Sequence, residues 1–458
     1  MSDQIKTINP VNGEEIATYD YMSETEMNDA IAACNEAFHD WKARPAKDRA
    51  QIIRAIGEEL ENSKEEFAQL MTREVGKLIG DSRSEIALCS QICQFTAENG
   101  PTELADEERD IPGGKGVIHY APLGVIYGIQ PWNFPAYQVV RYAIANLMAG
   151  NGILLKHAAN CTGSGLFLKD LMERAGLPKN LFTVLRISHD QSDKVIEHDL
   201  VRGVTLTGSD RAGRTVGQKA AEQLKKSVLE LGSNDAYIVL DDADLDVAVD
   251  ACVSARIYNN GETCVNGKRF IVTEKNYDAF VERYTEKFAA IVMGDPTDEN
   301  TGLGPVARVD LRDTLHEQVQ ESIKNGARVL TGGEVPDRVG AWYPATVLVD
   351  VKPGQPAYDD ELFGPVASII KAKDDEDAMR IANDSRYGLG GGIFSKDEAK
   401  ARKLASDQFD TGMISINGFN IAIPNMPFGG VKNSGYGREH GGFGMKEFVN
   451  AKSVYMMS

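Results

Sequence analysis

Between Leu123 and Leu240, short apolar runs alternate with stretches of amphipathic helical pattern, and this alternation limits the fold more than any other feature of the chain. Strands are expected at 124–129, 152–156, 182–185, 203–207 and 236–240, with helices at 135–148, 162–175, 190–198 and 211–222. Alternating strand and helix predicts a parallel sheet covered on both faces. The run Gly152-Ile153-Leu154-Leu155 has the continuous apolar character of a strand buried on both sides. A nucleotide site at the carboxyl ends of such strands is the usual consequence. A second alternating region runs from Arg269 to about Pro427, with helices at 276–292 and 310–325, the loop Gly294-Asp295-Pro296 and strands near 328–331 and 366–371.

The flanks read differently. Residues 5–20 predict short strands around the turn Asn9-Pro10-Val11-Asn12-Gly13. A helix opens at Ser23, with Glu26 completing a capping box, and Met27, Ile31, Cys34, Phe38 and Trp41 form its apolar face. Further amphipathic helices reach about residue 100, one opened by Ser63 with Glu66 in the same pattern. After the acidic segment 102–112, the run Lys115-Gly116-Val117-Ile118-His119-Tyr120 predicts a strand forming an exposed arm, with His119 a strand side chain. A last strand near 446–455 is expected to pair with this arm in the same or a neighbouring subunit.

Composition narrows the function classes. Apolar content of 42% and charged content of 26% are ordinary for a soluble globular protein. The formal charge of −19 disfavours nucleic acid and anionic membrane as partners. The N-terminus lacks a basic segment followed by an apolar stretch, so no secretory signal is expected. No apolar run approaches the about 20 residues of a membrane span. Six scattered cysteines, at 34, 89, 93, 161, 252 and 264, suit a reducing compartment, and a cytoplasmic location is expected. Cys89 and Cys93 stand one helical turn apart without further His or Cys at ligand spacing, so they are read as core and no metal site is expected.

Several short motifs sit where such a fold presents chemistry. Gly261-Glu262-Thr263-Cys264-Val265-Asn266-Gly267-Lys268-Arg269 joins a helical run ending at Tyr258-Asn259-Asn260 to a strand. Cys264 there reads either as a small buried hydrophobe or as a nucleophile. In Pro131-Trp132-Asn133-Phe134-Pro135, Pro135 suits the first turn of a helix, and Asn133 is either part of a rigid turn or an amide placed to receive an oxyanion. Lys156 at its strand end either reaches a ribose or phosphate or is simply solvated. Thr207-Gly208-Ser209-Asp210-Arg211-Ala212-Gly213 is not a G-x-G-x-x-G fingerprint, yet it offers small residues at a helix N-terminus where backbone N–H groups meet phosphate. Glu230, inside the run Leu229-Glu230-Leu231-Gly232-Ser233, is either a general base or a locally bonded carboxylate. Glu361, in Asp360-Glu361-Leu362-Phe363-Gly364-Pro365-Val366, either holds ribose hydroxyls or caps a loop.

Taken in order, together with Pro427-Phe428-Gly429-Gly430-Val431-Lys432, these motifs resemble the NAD(P)-dependent aldehyde dehydrogenase superfamily over nearly the whole chain. The resemblance implies an α/β fold with a Rossmann-type cofactor domain (1–103 and 123–232), an α/β catalytic domain (233–431) and a small β oligomerisation arm (104–122 and 432–458) in a homodimer or homotetramer. It implies that the Cys264 thiolate attacks the aldehyde carbon. Asn133 and the Cys264 N–H would hold the oxyanion, hydride would leave for the nicotinamide, and Glu230 would activate water against the thioester. Cofactor contacts are implied for Trp132, Lys156, Ala159, Thr207, Gly208, Ser209, Gly213, Leu231, Gly232, Glu361 and Phe363. Relatives that acylate coenzyme A usually lack the Glu, so Glu230 favours hydrolysis.

Within the superfamily, Lys156 and Arg141 resemble the bacterial succinate-semialdehyde dehydrogenase group, in which an Arg eight residues after the motif Asn helps bind the far carboxylate of the substrate. Three positions depart from that pattern. Tyr258 stands where some members carry a second Arg and is taken as substrate-binding, Tyr142 replaces a common Lys, and 421–426 lacks the substrate-binding Ser. Other aliphatic or aromatic aldehydes remain the alternative substrates; a coenzyme-A-acylating enzyme and a non-enzymatic protein are the remaining readings. Ala159 replaces the Glu that NAD-preferring members use against the ribose 2′-hydroxyl, so NADP is expected to be accepted alongside NAD.

Overall fold

The computed structural model describes residues 4–420 and 422–457. Its first sheet has six strands in the order Gly435–Tyr436, Lys226–Glu230, Val201–Thr207, Val125–Gln130, Gly152–His157 and Phe182–Val184. Five run parallel and Gly435–Tyr436 closes the edge antiparallel. Helices Tyr137–Ala149, Thr162–Arg174, His189–Glu197 and Asp210–Glu222 lie where the alternation predicts them. The strand Lys226–Glu230 was not among the expected elements. Lys226, Ser227 and Glu230 leave it only two consecutive apolar residues, so it carries no strand signature of its own.

The predicted strand at 236–240 forms, as Ala236–Val239, but in a second sheet rather than the first. That sheet has the order Arg328–Thr331, Thr346–Val349, Val366–Ala372, Arg269–Thr273, Ala236–Val239, Gly391–Phe394 and Ser415–Ile416, and only its first pair is antiparallel. The turn after Glu230 therefore carries the chain from one sheet to the other. In a third sheet Gly114–Pro122 pairs with Val449–Met457 on one side and Glu107–Ile111 on the other, so the last strand joins the arm of its own chain. His119 lies in that arm with Nδ1 2.7 Å from Asp106 Oδ1.

Four N-terminal helices, Glu24–Lys42, Ala46–Asn62, Lys64–Val75 and Ile79–Glu103, cover the first sheet. Phe38, Trp41, Ile53, Ile86, Cys89 and Cys93 pack into one core with Ile126, Ile153 and Leu155 of the strands. The Ser23 capping box forms, with Ser23 Oγ accepting from Glu26 N at 3.2 Å and the Glu26 carboxylate accepting from Ser23 N at 2.8 Å. Ser63 makes no such cap. The preceding helix runs directly into the next, and the Ser63 hydroxyl instead accepts from Arg174 Nη2 at 3.2 Å. Pro135 also lies outside the helix predicted to contain it, which begins at Tyr137; its carbonyl accepts from His157 Nε2 at 3.0 Å. No helix among the described residues is long and apolar enough to cross a membrane.

Candidate active site

The loop that carries Cys264 is set by three consecutive left-handed residues. Helix Leu245–Ile257 stops, and Asn259 (φ 54°), Asn260 (φ 54°) and Gly261 (φ 79°) reverse the chain. Asn tolerates this conformation better than other side chains. Here the amides also fasten the turn. Asn259 Nδ2 donates to Asn133 O at 2.9 Å and Glu262 O at 3.1 Å, and Asn260 Nδ2 donates to Gly76 O and Pro305 O, both at 3.0 Å. At Gly261 a Cβ would lie 2.4 Å from the Gly364 backbone, so only glycine fits. Beneath the loop, the buried Arg256 donates to the carbonyls of Gly267 (3.2 Å), Gly261 (2.9 Å) and Leu362 (3.1 Å), and to that of Gly364. One guanidinium thus braces both the Cys264 loop and the Glu361 loop.

Cys264 is the one cysteine of the six that is not fully buried. It opens onto a cavity of ≈ 260 Å³ lined by Trp132, Asn133, Thr207, Gly208, Ser209, Leu231, Gly232, Glu361 and Phe363, with Pro131 and Leu311. Two catalytic candidates and eight of the eleven proposed cofactor residues' positions thus meet across the two sheets. Trp132 and Phe363 meet edge to face at 5.7 Å. The Asn133 side chain is oriented at both ends: Oδ1 accepts from Gln138 Nε2 at 3.3 Å and Nδ2 donates to Glu262 O at 3.1 Å. An amide nitrogen carries two hydrogens, which leaves one for an oxyanion.

Burial pushes the Cys264 thiol up to about 12. Arg141 and Lys268 pull it down, while Glu361 and Glu230 oppose them. A nucleophilic thiolate therefore needs positive charge or a base nearby.

Glu230 is not on the wall of this cavity. It ends the strand Lys226–Glu230, is 2% exposed, and has no hydrogen-bond partner at either carboxylate oxygen among the described residues. A Cβ on Gly429 would lie 2.8 Å from its Oε1, so the carboxyl packs against the Gly429 backbone. Burial drives its pKa well up, Arg141 and Arg438 oppose the rise, and Glu439 adds to it.

Arg141 is likewise off the cavity wall. It is buried, ion-paired through Nε to Glu439, and donates from Nη2 to Thr207 Oγ1 at 3.0 Å. Its guanidinium lies 4.5 Å from the Phe428 ring centroid and 5.1 Å from that of Tyr137, and Nη1 has no hydrogen-bond partner among the described residues. Phe428 in turn belongs, with Val265 and Leu389, to the apolar cluster against which Cys264 packs. Tyr258 stacks on Phe134 with centroids 6.2 Å apart and touches Phe419, outside the Cys264 cavity.

Lys156 and Ala159 line a separate cavity of ≈ 650 Å³ with Arg186, His189 and Arg308. The Lys156 side chain makes no hydrogen bond or ion pair with any described residue, and burial lowers its pKa. A half-buried cation without a counter-ion calls for an anion. Gly213 faces neither cavity in the expected way: it packs beneath Leu231 and borders a third cavity with Arg214 and Tyr436.

The chain matches the aldehyde dehydrogenase family over residues 1–454. It belongs to that family. It is 43% identical over 448 residues to a succinate-semialdehyde dehydrogenase (NADP+) of Deinococcus radiodurans, covering 98% of this chain and 94% of the relative. It is also 43% identical to a succinate semialdehyde dehydrogenase (NAD(P)+) of Escherichia coli K12, covering 98% and 97%. The solved succinic semialdehyde dehydrogenase from Streptococcus pyogenes in complex with NADP+ superimposes with a TM-score of 0.97 at 35% identity, covering 99% of this chain and 100% of that one.

As a member of the aldehyde dehydrogenase family, the protein is an aldehyde-oxidising enzyme. Four residues of its site escape sequence reading: Arg186, Arg256, Lys268 and Glu439. Arg186 follows the strand Phe182–Val184, and a strand-end cation facing a cleft was a readable signal. Nothing local marks the other three: Glu439 pairs with the distant Arg141, and Arg256 and Lys268, besides their bonds within the Cys264 loop, reach Leu362 and Glu361 on a distant segment.

Proposed function

We propose that this enzyme oxidises succinate semialdehyde, or a similar acidic aldehyde, to the carboxylic acid with reduction of NADP+ or NAD+. The observation that carries the reading is the single cavity in which Cys264, the free hydrogen of the Asn133 amide and the Glu361 loop meet. The Cys264 N–H, which has no hydrogen-bond partner among the described residues, is the second oxyanion donor. Residues 1–103 with 123–232 serve as cofactor domain, 233–431 as catalytic domain and 104–122 with 432–458 as arm of a cytoplasmic homodimer or homotetramer. The apolar, exposed edge residues Val454, Tyr455, Met456 and Met457 support the arm's role.

The residues suit the cofactor. Trp132, Thr207, Gly208, Ser209, Leu231, Gly232, Glu361 and Phe363 offer a narrow wall with one carboxylate for ribose hydroxyls. Lys156 and Arg186, with no carboxylate at Ala159, suit the dianionic 2′-phosphate of NADP. Gly213 serves at one remove, letting Leu231 pack closely. When bound, the cofactor would supply the acceptor for the hydride that leaves the carbon attacked by Cys264.

The chain's own residues supply the rest. Asn133 and the Cys264 N–H hold the oxygen as it gains charge. The unpartnered Nη1 of Arg141 takes the far carboxylate of the substrate, and Tyr258, stacked on Phe134, serves as a second substrate-binding residue. Glu230, whose pKa burial raises and Arg141 holds back, turns toward Cys264 and takes a proton from the water that hydrolyses the thioester.

The test is a panel of aldehydes assayed with each cofactor, with and without coenzyme A. Succinate semialdehyde should have the highest kcat/KM, and the product should be the free acid without coenzyme A. Cys264→Ala should abolish NADPH formation, and turnover surviving in that variant would defeat the mechanism.

A further inference from the structure

Behind the Asn133 turn lies a cluster of three charges that borders neither the Cys264 cavity nor the Lys156 cavity, and no step above uses it. Lys77 precedes the helix Ile79–Glu103, and Asp81 and Glu85 stand one turn apart within it. Lys77 and Glu85 are each 1% exposed, and Asp81 is half-buried. Lys77 Nζ donates to Glu85 Oε2 and lies 4.0 Å from the ring centroid of Phe134. Glu85 Oε1 accepts from the N–H groups of Ala136, at 2.7 Å, and Tyr137, at 2.8 Å. Those groups open the helix Tyr137–Ala149, which has no side-chain cap of its own. A carboxylate from another helix fills that role, at the end of the helix dipole that favours negative charge. Asp81 Oδ2 accepts from Asn259 N at 3.0 Å.

Both carboxylates lead to Asn133. The Asn133 turn runs straight into Ala136 and Tyr137, and Gln138, next in that helix, donates to Asn133 Oδ1. Asn259, held by Asp81, donates through Nδ2 to Asn133 O and to Glu262 O, the carbonyl to which Asn133 Nδ2 also donates. We propose that Glu85 and Asp81, with Lys77 as the counter-ion of Glu85, are positioning residues that set the Asn133 amide at its distance from the Cys264 N–H, a role that rests on the reading above in which those two donors hold the oxyanion.

The physical need is plain in the topology. Asn133 follows a strand of the first sheet, and Cys264 precedes a strand of the second. The spacing of the two donors is therefore only as fixed as what bridges the sheets. The helix Ile79–Glu103 bridges them, with Glu85 on the Asn133 side and Asp81 on the Cys264 side. A carboxylate makes shorter and stronger hydrogen bonds to N–H groups than a neutral acceptor does. Lys77 compensates the buried charge of Glu85, and its field reaches Asp81, whose pKa burial raises and Lys77 holds back. A misplacement of about 1 Å in such a site can cost about 100-fold in rate.

The experiment measures single-turnover NADPH formation from succinate semialdehyde in the full-length enzyme, per Cys264 that iodoacetamide can label. Asn133→Ala should slow it about 100–1,000-fold. A first pair, Lys77→Met with Glu85→Leu, removes both charges together and takes the acceptor away from Ala136 and Tyr137; it should slow NADPH formation about 100-fold. A second pair, Lys77→Met with Glu85→Gln, loses the same ion pair but keeps an acceptor, and it should regain most of that loss. Added to Asn133→Ala, the first pair should cost no more than about a further twofold, whereas independent effects would multiply. Equal rates in the two pairs, or multiplied losses in the triple variant, overturn the proposal. Should the first pair not fold, Asp81→Ala at its half-buried site replaces it, and a wild-type rate there overturns the proposal. A wild-type rate in Asn133→Ala would sink the oxyanion reading and the positioning role with it, while failure of the paired variants alone leaves that reading standing.

Discussion

Arg141→Met separates the two jobs that one guanidinium holds in this site. Met keeps most of the stem volume and removes the charge. If Nη1 binds the far carboxylate, the variant loses a charge-assisted hydrogen bond of about 1.5–3 kcal/mol. That predicts a fall of about 10–150-fold in kcat/KM for succinate semialdehyde relative to an uncharged aldehyde of equal length. Two other effects act on both substrates alike. Glu439 is left buried without its cation, a break that costs about 3–5 kcal/mol of stability when the other partner remains. Glu230 loses the charge that restrains its raised pKa, so deacylation slows for every aldehyde. The ratio between the two substrates, rather than either rate, is therefore the readout. The double variant Arg141→Met with Glu439→Gln removes the stranded carboxylate and should recover most of the resistance to thermal inactivation. Its preference for the acidic aldehyde should stay lost. If Arg141→Met keeps the wild-type ratio, Arg141 only balances Glu439, and the carboxylate site must be sought elsewhere.

Ala159→Glu puts a carboxylate in the cavity of Lys156 and Arg186, and kcat/KM for NADP+ relative to NAD+ should fall about 100-fold, since like charges brought together cost several kcal/mol. Steady-state kinetics with both cofactors checks it; an unchanged ratio would place the 2′-phosphate outside that cavity. Gly261→Ala demands a left-handed residue with its Cβ 2.4 Å from the Gly364 backbone. That strain should lower kcat by at least about 100-fold through a misplaced Cys264, while the far-ultraviolet circular dichroism stays near wild type. Because burial raises the Cys264 thiol to about 12, its alkylation in the cofactor-free enzyme should keep rising with pH beyond the ordinary thiol range of about 8.5. The sign follows from the thiolate being the reactive form; a plateau near neutrality would show that the resting thiol is already ionised.

Much of the site was legible because its parts lie on short segments with local signatures. Cys264, Asn133, Thr207, Gly208, Ser209, Leu231, Gly232, Glu361 and Phe363 each sit in a turn at a strand end, and the motif order brought them together before any coordinates did. The strand Lys226–Glu230 was missed because two apolar residues between polar ends form no periodic pattern. The alternation grouped the strand Ala236–Val239 with those before it, although the expected domain bound at 232 set it apart, since apolar character says that a strand is buried and not which neighbours bury it.

The sequence by itself determined the alternating α/β architecture and the family and singled out Cys264 as the candidate nucleophile, because periodicity, turn residues and motif order are properties of consecutive positions. Only the tertiary structure decided what surrounds each reactive group. It put Glu439 against Arg141, and Lys268 between Cys264 and Glu361. Those pairings join residues brought together across elements, often far apart in the chain. They arise from long-range packing that leaves a buried charge no water to face, so the fold itself must supply its partner.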